Sequence, residues 1–189
     1  MAEAKEFKFS KENLAKTKEV IGKYPAGRQA SAVLPLLDLA QRQNGGWLSK
    51  EAMDYVADIL AMAPIRVYEV ASFYTMFNLK PIGKYLVQVC GTTPCWLRGA
   101  EEIMSACQRE LGIKCGETTE DGKFTLKEIE CLCACANAPV VMINDDYYED
   151  LDVQSMTKVL AALKIGRKVK HGSQEGRVSS EPKEMRDAG

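Results

Sequence analysis

Lys84-Tyr-Leu-Val-Gln-Val-Cys-Gly-Thr-Thr-Pro-Cys-Trp96 is where the hydrophobic period of the chain changes. Upstream, apolar residues recur at helical spacing; from Lys84 to Cys90 the pattern is that of a strand. The strand runs directly into a C-x4-C pair, Cys90 and Cys95. A second pair, C-x3-C, follows at Cys131 and Cys135 within Glu130-Cys-Leu-Cys-Ala-Cys-Ala-Asn-Ala-Pro139. A strand feeding one cysteine loop, with a matching loop further on, predicts a sheet-based domain carrying a thiolate site.

Working outward toward the N-terminus, residues 10–80 read as four short helices. Ser10 caps the first, which runs to about Lys23 before Tyr24-Pro25-Ala26-Gly27. The second covers Ser31 to Gln41, where Pro35 is tolerable within the first turn. Ser49 caps the third, with Met53, Val56, Ala57 and Leu60 on one face. Pro64 opens the fourth, through Val67, Val70, Ala71, Tyr74 and Phe77. Short helices with tight links predict a small bundle. The aromatics Tyr68, Phe73, Tyr74 and Phe77 are too many for one narrow stripe, so some are expected outside the bundle as interface anchors.

Toward the C-terminus, Gly99–Leu111 reads as a helix. Segments 113–118 and 123–130 are strand candidates joined at Glu120-Asp121-Gly122, and Pro139–Ile143 and Tyr147–Glu149 form a hairpin. Asp152 caps a closing helix from Val153 to Lys164. The order predicts an α/β domain, a small sheet with helices packed on it. The expected divisions are a helical bundle at 1–80, the cysteine-bearing domain at 81–165 and an extended tail at 166–189. Residues 164–189 carry seven basic against four acidic residues, which suits either a solvated end or an arm that clasps a partner.

Composition bounds the function. Twenty-five basic and 26 acidic residues give a formal charge of −1, so neither nucleic acid nor an anionic lipid surface is indicated. No stretch approaches the roughly 20 apolar residues needed to span a bilayer, and Met1-Ala-Glu-Ala-Lys-Glu-Phe-Lys8 lacks a signal core. A soluble protein is expected, in the compartment where it is made, or one whose targeting segment is gone. Seven cysteines, all between residues 90 and 135, suit a metal site in a reducing compartment better than a disulfide framework.

Thiolates are soft ligands for iron–sulfur centres or zinc. Two pairs on two loops suit a binuclear cluster, one pair to each iron. The neighbouring Gly, Thr, Ala and Pro let backbone N–H groups approach the sulfurs. The spacing also permits a four-cysteine zinc site. A thiol–disulfide enzyme would show C-x-x-C, which is absent. Cys107 in a helix and Cys115 in a strand read as packing residues. Cys133 leaves a Cys131/Cys133 pairing open.

Together with Ser31-Ala-Val-Leu-Pro-Leu-Leu, Gln41-Arg-Gln-Asn-Gly-Gly-Trp-Leu and Val67-Tyr-Glu-Val-Ala-Ser-Phe-Tyr-Thr-Met-Phe77, these motifs resemble a known family over nearly the whole chain. It is the small [2Fe–2S] subunit (the E subunit in bacteria) of respiratory NADH:quinone oxidoreductase, complex I. The resemblance implies a thioredoxin-like [2Fe–2S] ferredoxin domain preceded by a small helical bundle. It implies Cys90, Cys95, Cys131 and Cys135 as ligands of one [2Fe–2S] cluster. It also implies two partners: a subunit that binds NADH and FMN, with its flavin near this cluster, and a larger multi-cluster iron–sulfur subunit. The location implied is cytoplasmic and peripheral to the inner membrane, or the matrix side in an organelle. The chain departs from the family at Cys133, where Gly is usual.

Absent motifs agree with that division of labour. The sequence has no G-x-G-x-x-G and no G-x-x-x-x-G-K-[ST], so NADH oxidation by the chain alone is not expected. A lone histidine, His171, is too few for a Rieske centre. Met53, Met62 and Met76 read as core, and Trp96 as a shield or an interface aromatic. Alternative readings are the equivalent subunit of an NAD-linked hydrogenase or formate dehydrogenase, and a zinc-stabilised interaction module without redox function.

Overall fold

The computed structural model describes residues 6–182; Met1-Ala-Glu-Ala-Lys5 and the tail beyond 182 lie outside the described residues. The chain divides into two compact units, Met1–Ile82 and Gly83–Gly189.

The first unit is helical: α1 Lys11–Gly22, α2 Val33–Gln43, α3 Lys50–Leu60 and α4 Pro64–Phe73. The side chains of Ser10 and Ser49 accept from the amides of Asn13 and Ala52, each at 3.2 Å, as N-caps should. Pro35 is the third residue of α2, inside the first turn, where no helical N–H is lost. Helices of 10 to 12 residues are marginal alone, and here they share one core of Leu36, Leu37, Leu48, Val56, Leu60 and Val67. Each such leucine contributes about 2 kcal/mol by burial.

The fourth helix stops at Phe73, short of the expected Phe77. Tyr74 is already extended, because the buried Gln41 captures the chain beyond it. Its Oε1 accepts from the Asn78 amide at 2.7 Å and its Nε2 donates to the Met76 carbonyl at 3.1 Å. Phe77 then enters the core, leaving Phe73 77% exposed and Tyr74 40%. Tyr68 bonds to Asp54. Met53 and Met62 pack against the core, whereas Met76 is exposed, against expectation.

In the second unit, β1 Tyr85–Cys90, β2 Phe124–Ile129, β3 Val141–Ile143, β4 Asp146–Glu149 and β5 Gly172–Ser173 form a sheet in the order β2-β1-β3-β4-β5. β1 pairs parallel with β2 and antiparallel with β3, β3 and β4 form the hairpin, and β5 pairs parallel with β4. Helices α5 Thr93–Leu97, α6 Ala100–Leu111 and α7 Val153–Lys164 complete the unit. Ile103 and Cys107 of α6 and Met156, Val159 and Leu160 of α7 join Val87, Phe124 and Leu126 in one core. Asp152 and Ser155 form a reciprocal capping box at the start of α7.

One strand expectation is corrected. Residues 113–118 are not a strand; they lie against β2 through the isolated bridge Thr118 to Thr125 and the bonds between Gly116, Glu117 and Leu126. Gly116 turns to φ 88 and the Glu117 amide bonds back to the Lys114 carbonyl at 3.1 Å, which breaks the extended path. Cys115 is accordingly exposed, its sulfur accepting from the Glu128 amide, and not a packing residue. Cys107 is buried in α6 as expected. The described tail is not free: β5 extends the sheet, and the side chains of Arg177 and Asp150 are 5% and 0% exposed as an ion pair.

Candidate metal centre

The parallel pairing of β1 and β2 decides where the two cysteine loops lie. Cys90, the last residue of β1, lies opposite Ile129, the last of β2. Loops at the carboxyl ends of adjacent parallel strands emerge on the same side, which is where such sheets place ligands. One loop leads through Gly91 and Thr92 to Cys95 in α5; the other carries Cys131 and Cys135. The first loop is held on both sides, by the Gly91 amide on the Ile129 carbonyl and the Cys90 amide on the Val140 carbonyl, each 3.2 Å.

Cys90 and Cys95 are buried with Leu132, Ala138 and Val140, whereas Cys131, Cys133 and Cys135 are exposed. The sulfurs of Cys131 and Cys135 are 3.8 Å apart. Two thiolates bound at about 2.3 Å to one tetrahedral metal stand about 3.8 Å apart, so this pair is spaced to chelate a single ion. Among the described residues, no three metal-capable side chains form a group around one ion. The sulfurs come as pairs.

Within each pair the two thiols differ. Burial pushes Cys90 up, but the Thr92 hydroxyl, 3.3 Å away, and the amides of Leu132 and Thr92 outweigh it and hold it below the ordinary thiol range. Burial, reinforced by Cys90, pushes Cys95 up to about 12. The Cys133 amide, with help from the Cys135 and Thr92 side chains, draws Cys131 down. Neighbouring Cys131 pushes both Cys133 and Cys135 up. Each pair thus holds one thiol drawn down and one pushed up, and metal binding would require both to lose their protons.

These groups fit a thiolate-bound cluster. The donors are soft sulfurs, the Cys131/Cys135 spacing is that of a chelate, and backbone amides point at Cys90, Cys95 and Cys131. Such amides stabilise negative charge on the sulfurs.

Residues 17–164 match the family of thioredoxin-like [2Fe–2S] ferredoxins. The chain belongs to that family. Within it, the chain is 64% identical over 157 residues to the E subunit of NADH-quinone oxidoreductase from Rickettsia conorii, covering 83% of this chain and 94% of the relative. It is 55% identical to the mitochondrial NADH dehydrogenase [ubiquinone] flavoprotein 2 of Dictyostelium discoideum, covering 93% of this chain and 71% of the relative. A solved NAD+-reducing [NiFe]-hydrogenase matches in fold with a TM-score of 0.62 at 19% identity, covering 71% of this chain. The chain spans 23% of that hydrogenase chain, and the likeness concerns the fold alone.

As a member of the thioredoxin-like [2Fe–2S] family, the chain is an electron-transfer protein. The remaining sequence candidates fall around its site unevenly. Trp96 is 53% exposed beside the buried Cys95 and lines a cavity of about 320 Å³ with Val89, Gly91, Ala100 and Glu128. His171 lies on the surface, 3.8 Å from Asp146, away from a catalytic arrangement. Sequence reasoning placed Arg177 in a solvated end or a partner-clasping arm and missed its pairing with Asp150. Their separation by 27 residues carries no periodic signal.

Proposed function

We propose that the chain is the [2Fe–2S] electron-transfer subunit in the peripheral arm of an NADH:quinone oxidoreductase. Cys90, Cys95, Cys131 and Cys135 are its ligands, the first pair on one iron and the second on the other. The observation that carries this reading is 64% identity to the Rickettsia conorii protein over 94% of that relative's length, joined to the paired sulfurs at the ends of β1 and β2. When bound, the cluster supplies one-electron storage. The chain contributes thiolates, amide donors and a dry inner wall at Cys90 and Cys95. Its exposed sulfurs at Cys131 and Cys135 form the face open to an electron partner.

In this reading NADH and FMN sit on a partner subunit close to that face, and a multi-cluster iron–sulfur subunit completes the module. Phe73 and Tyr74 are the anchors by which the helical unit docks on partners. Among the described residues no helix is long and apolar enough to cross a membrane, which supports attachment through the complex.

A hydrogenase diaphorase module is a second reading, supported by the fold likeness to the NAD+-reducing enzyme. Co-purification of the tagged chain from its own cells separates the two by the partners recovered. Iron and sulfide analysis with visible absorption tests the cluster. Zinc without sulfide would overturn the redox role.

A further inference from the structure

The loop that carries Cys131 and Cys135 is fastened from outside by the C-terminal segment. The Arg177 Nη2 donates to the Ala136 carbonyl at 2.7 Å. The Asn137 Nδ2 donates to the Ser179 carbonyl at 2.8 Å and to Glu149 Oε2 at 2.7 Å. The Asn137 carbonyl accepts from the Asp150 amide at 2.7 Å. Ala136 and Asn137 follow Cys135 directly in one short 3-10 turn.

Arg177 is itself locked. Its Nε and Nη2 reach the two oxygens of Asp150 at 2.9 and 2.6 Å, and the Ser173 hydroxyl adds a third bond to that carboxylate at 2.6 Å. A buried ion pair is weak evidence for stability, because desolvation opposes its attraction. What a two-pronged guanidinium–carboxylate contact supplies is a defined direction. Here that direction aims Nη2 at the backbone beside Cys135.

We propose that residues 172–182 are a strap on the second cysteine loop, and that Arg177 is a positioning residue setting how that loop holds the cluster. The inference rests on Cys131 and Cys135 being ligands. An arm kept for a partner would leave its charged side chains available, whereas the Arg177 side chain is 5% exposed and used within the chain. Weakening the strap loosens the Ala136–Asn137 turn. The Cys133 amide on Cys131 and the Cys131–Cys135 spacing loosen with it.

The test uses the full-length chain with its cluster. Arg177→Gln takes the guanidinium from the buried Asp150, so the paired change Asp150→Asn with Arg177→Gln, which removes both charges, is made alongside. Arg177→Lys keeps the charge but not the fork. Gly83→Ala serves as a control that strains the sheet without touching the loop. Three quantities are read: the rate of absorption loss to a chelator, the midpoint potential and the melting temperature. In all three Arg177 variants, the cluster should be lost about tenfold faster, the scale of an outer-shell change, with a lower potential. Gly83→Ala should melt earlier at an unchanged potential. Unchanged potentials, with cluster loss that only follows melting temperature, would overturn the strap and leave the ligand assignment standing. A wild-type chain without iron and sulfide would overturn both.

Discussion

The amide of Cys133 donates to the sulfur of Cys131 over 3.2 Å, and Cys133 makes that bond from the left-handed backbone region at φ 60. A non-glycine residue there costs about 1 kcal/mol or more, and glycine adopts it freely. Cys133→Gly should therefore keep the [2Fe–2S] absorption. Relief of backbone strain and the added unfolded-state freedom of glycine oppose each other, so stability should stay within about 1 kcal/mol of the parent. Spectra and chemical denaturation check both. Loss of the cluster would make Cys133 a ligand.

Replacing Cys90, Cys95, Cys131 or Cys135 with Ser should abolish or badly damage the cluster. Serine withdraws the soft thiolate while nearly preserving size, so the comparison isolates the donor atom. Retained absorption in Cys135→Ser, with loss in Cys133→Gly, would reverse the assignment. Iron and acid-labile sulfide per chain are the measurement.

Gly83 sits where the chain enters β1 and its amide donates to Thr125 Oγ1 at 2.7 Å. A Cβ at this position would lie 2.8 Å from backbone atoms of Lys123 and Phe124, which have no rotamer by which to retreat. Gly83→Ala should cost about 1–3 kcal/mol, the scale of overpacking. Urea denaturation measures it.

The Asp152 cap should carry a pH signature. The Ser155 amide, joined by its hydroxyl, holds the Asp152 carboxyl below the ordinary carboxylate range. A depressed folded-state pKa adds stability above the unfolded value, about 3.9, and that stability is lost as pH falls through the folded one. Asp152→Ala should cost about 1 kcal/mol from pH 8 down to pH 5, with the deficit narrowing below about pH 4. Denaturation of parent and variant at stepped pH gives the difference. A deficit independent of pH down to pH 2 would remove the charge from the explanation.

The purified chain, free of flavin, should not oxidise NADH. A hydride must be split into single electrons by a flavin before an iron–sulfur cluster can accept them. Turnover of NADH with a dye acceptor, after flavin content is shown to be nil, would sink this expectation.

Much of the local structure was legible in the residues. Ser10, Ser49 and Asp152 announce helix starts because a short side-chain oxygen reaches amides two or three residues on, a matter of local geometry. The alternation from Lys84 to Cys90 and the turn at 144–146 are equally local. The end of α4 was not legible, since Gln41 dictates it by holding Asn78, 37 positions further along the chain. Residues 113–118 misled because a strand-like composition was overruled by the turn at Gly116. Strand propensity is decided by neighbours as much as by the residue.

For the site, the sequence by itself supplied the candidate donors: five thiols in two short-residue loops, soft enough for iron and sulfide, from which the family resemblance picks four. Tertiary structure decided that the two loops lie together. The parallel register of Cys90 with Ile129 brings the two loops to one end of the sheet. Pairing between strands some 40 residues apart depends on what each can bury, which no local pattern records. The same holds for Arg177, whose place in a basic tail suggested solvent or a partner. In the folded chain it reaches Asp150 and the carbonyl of Ala136, because β5 closes the sheet beside them.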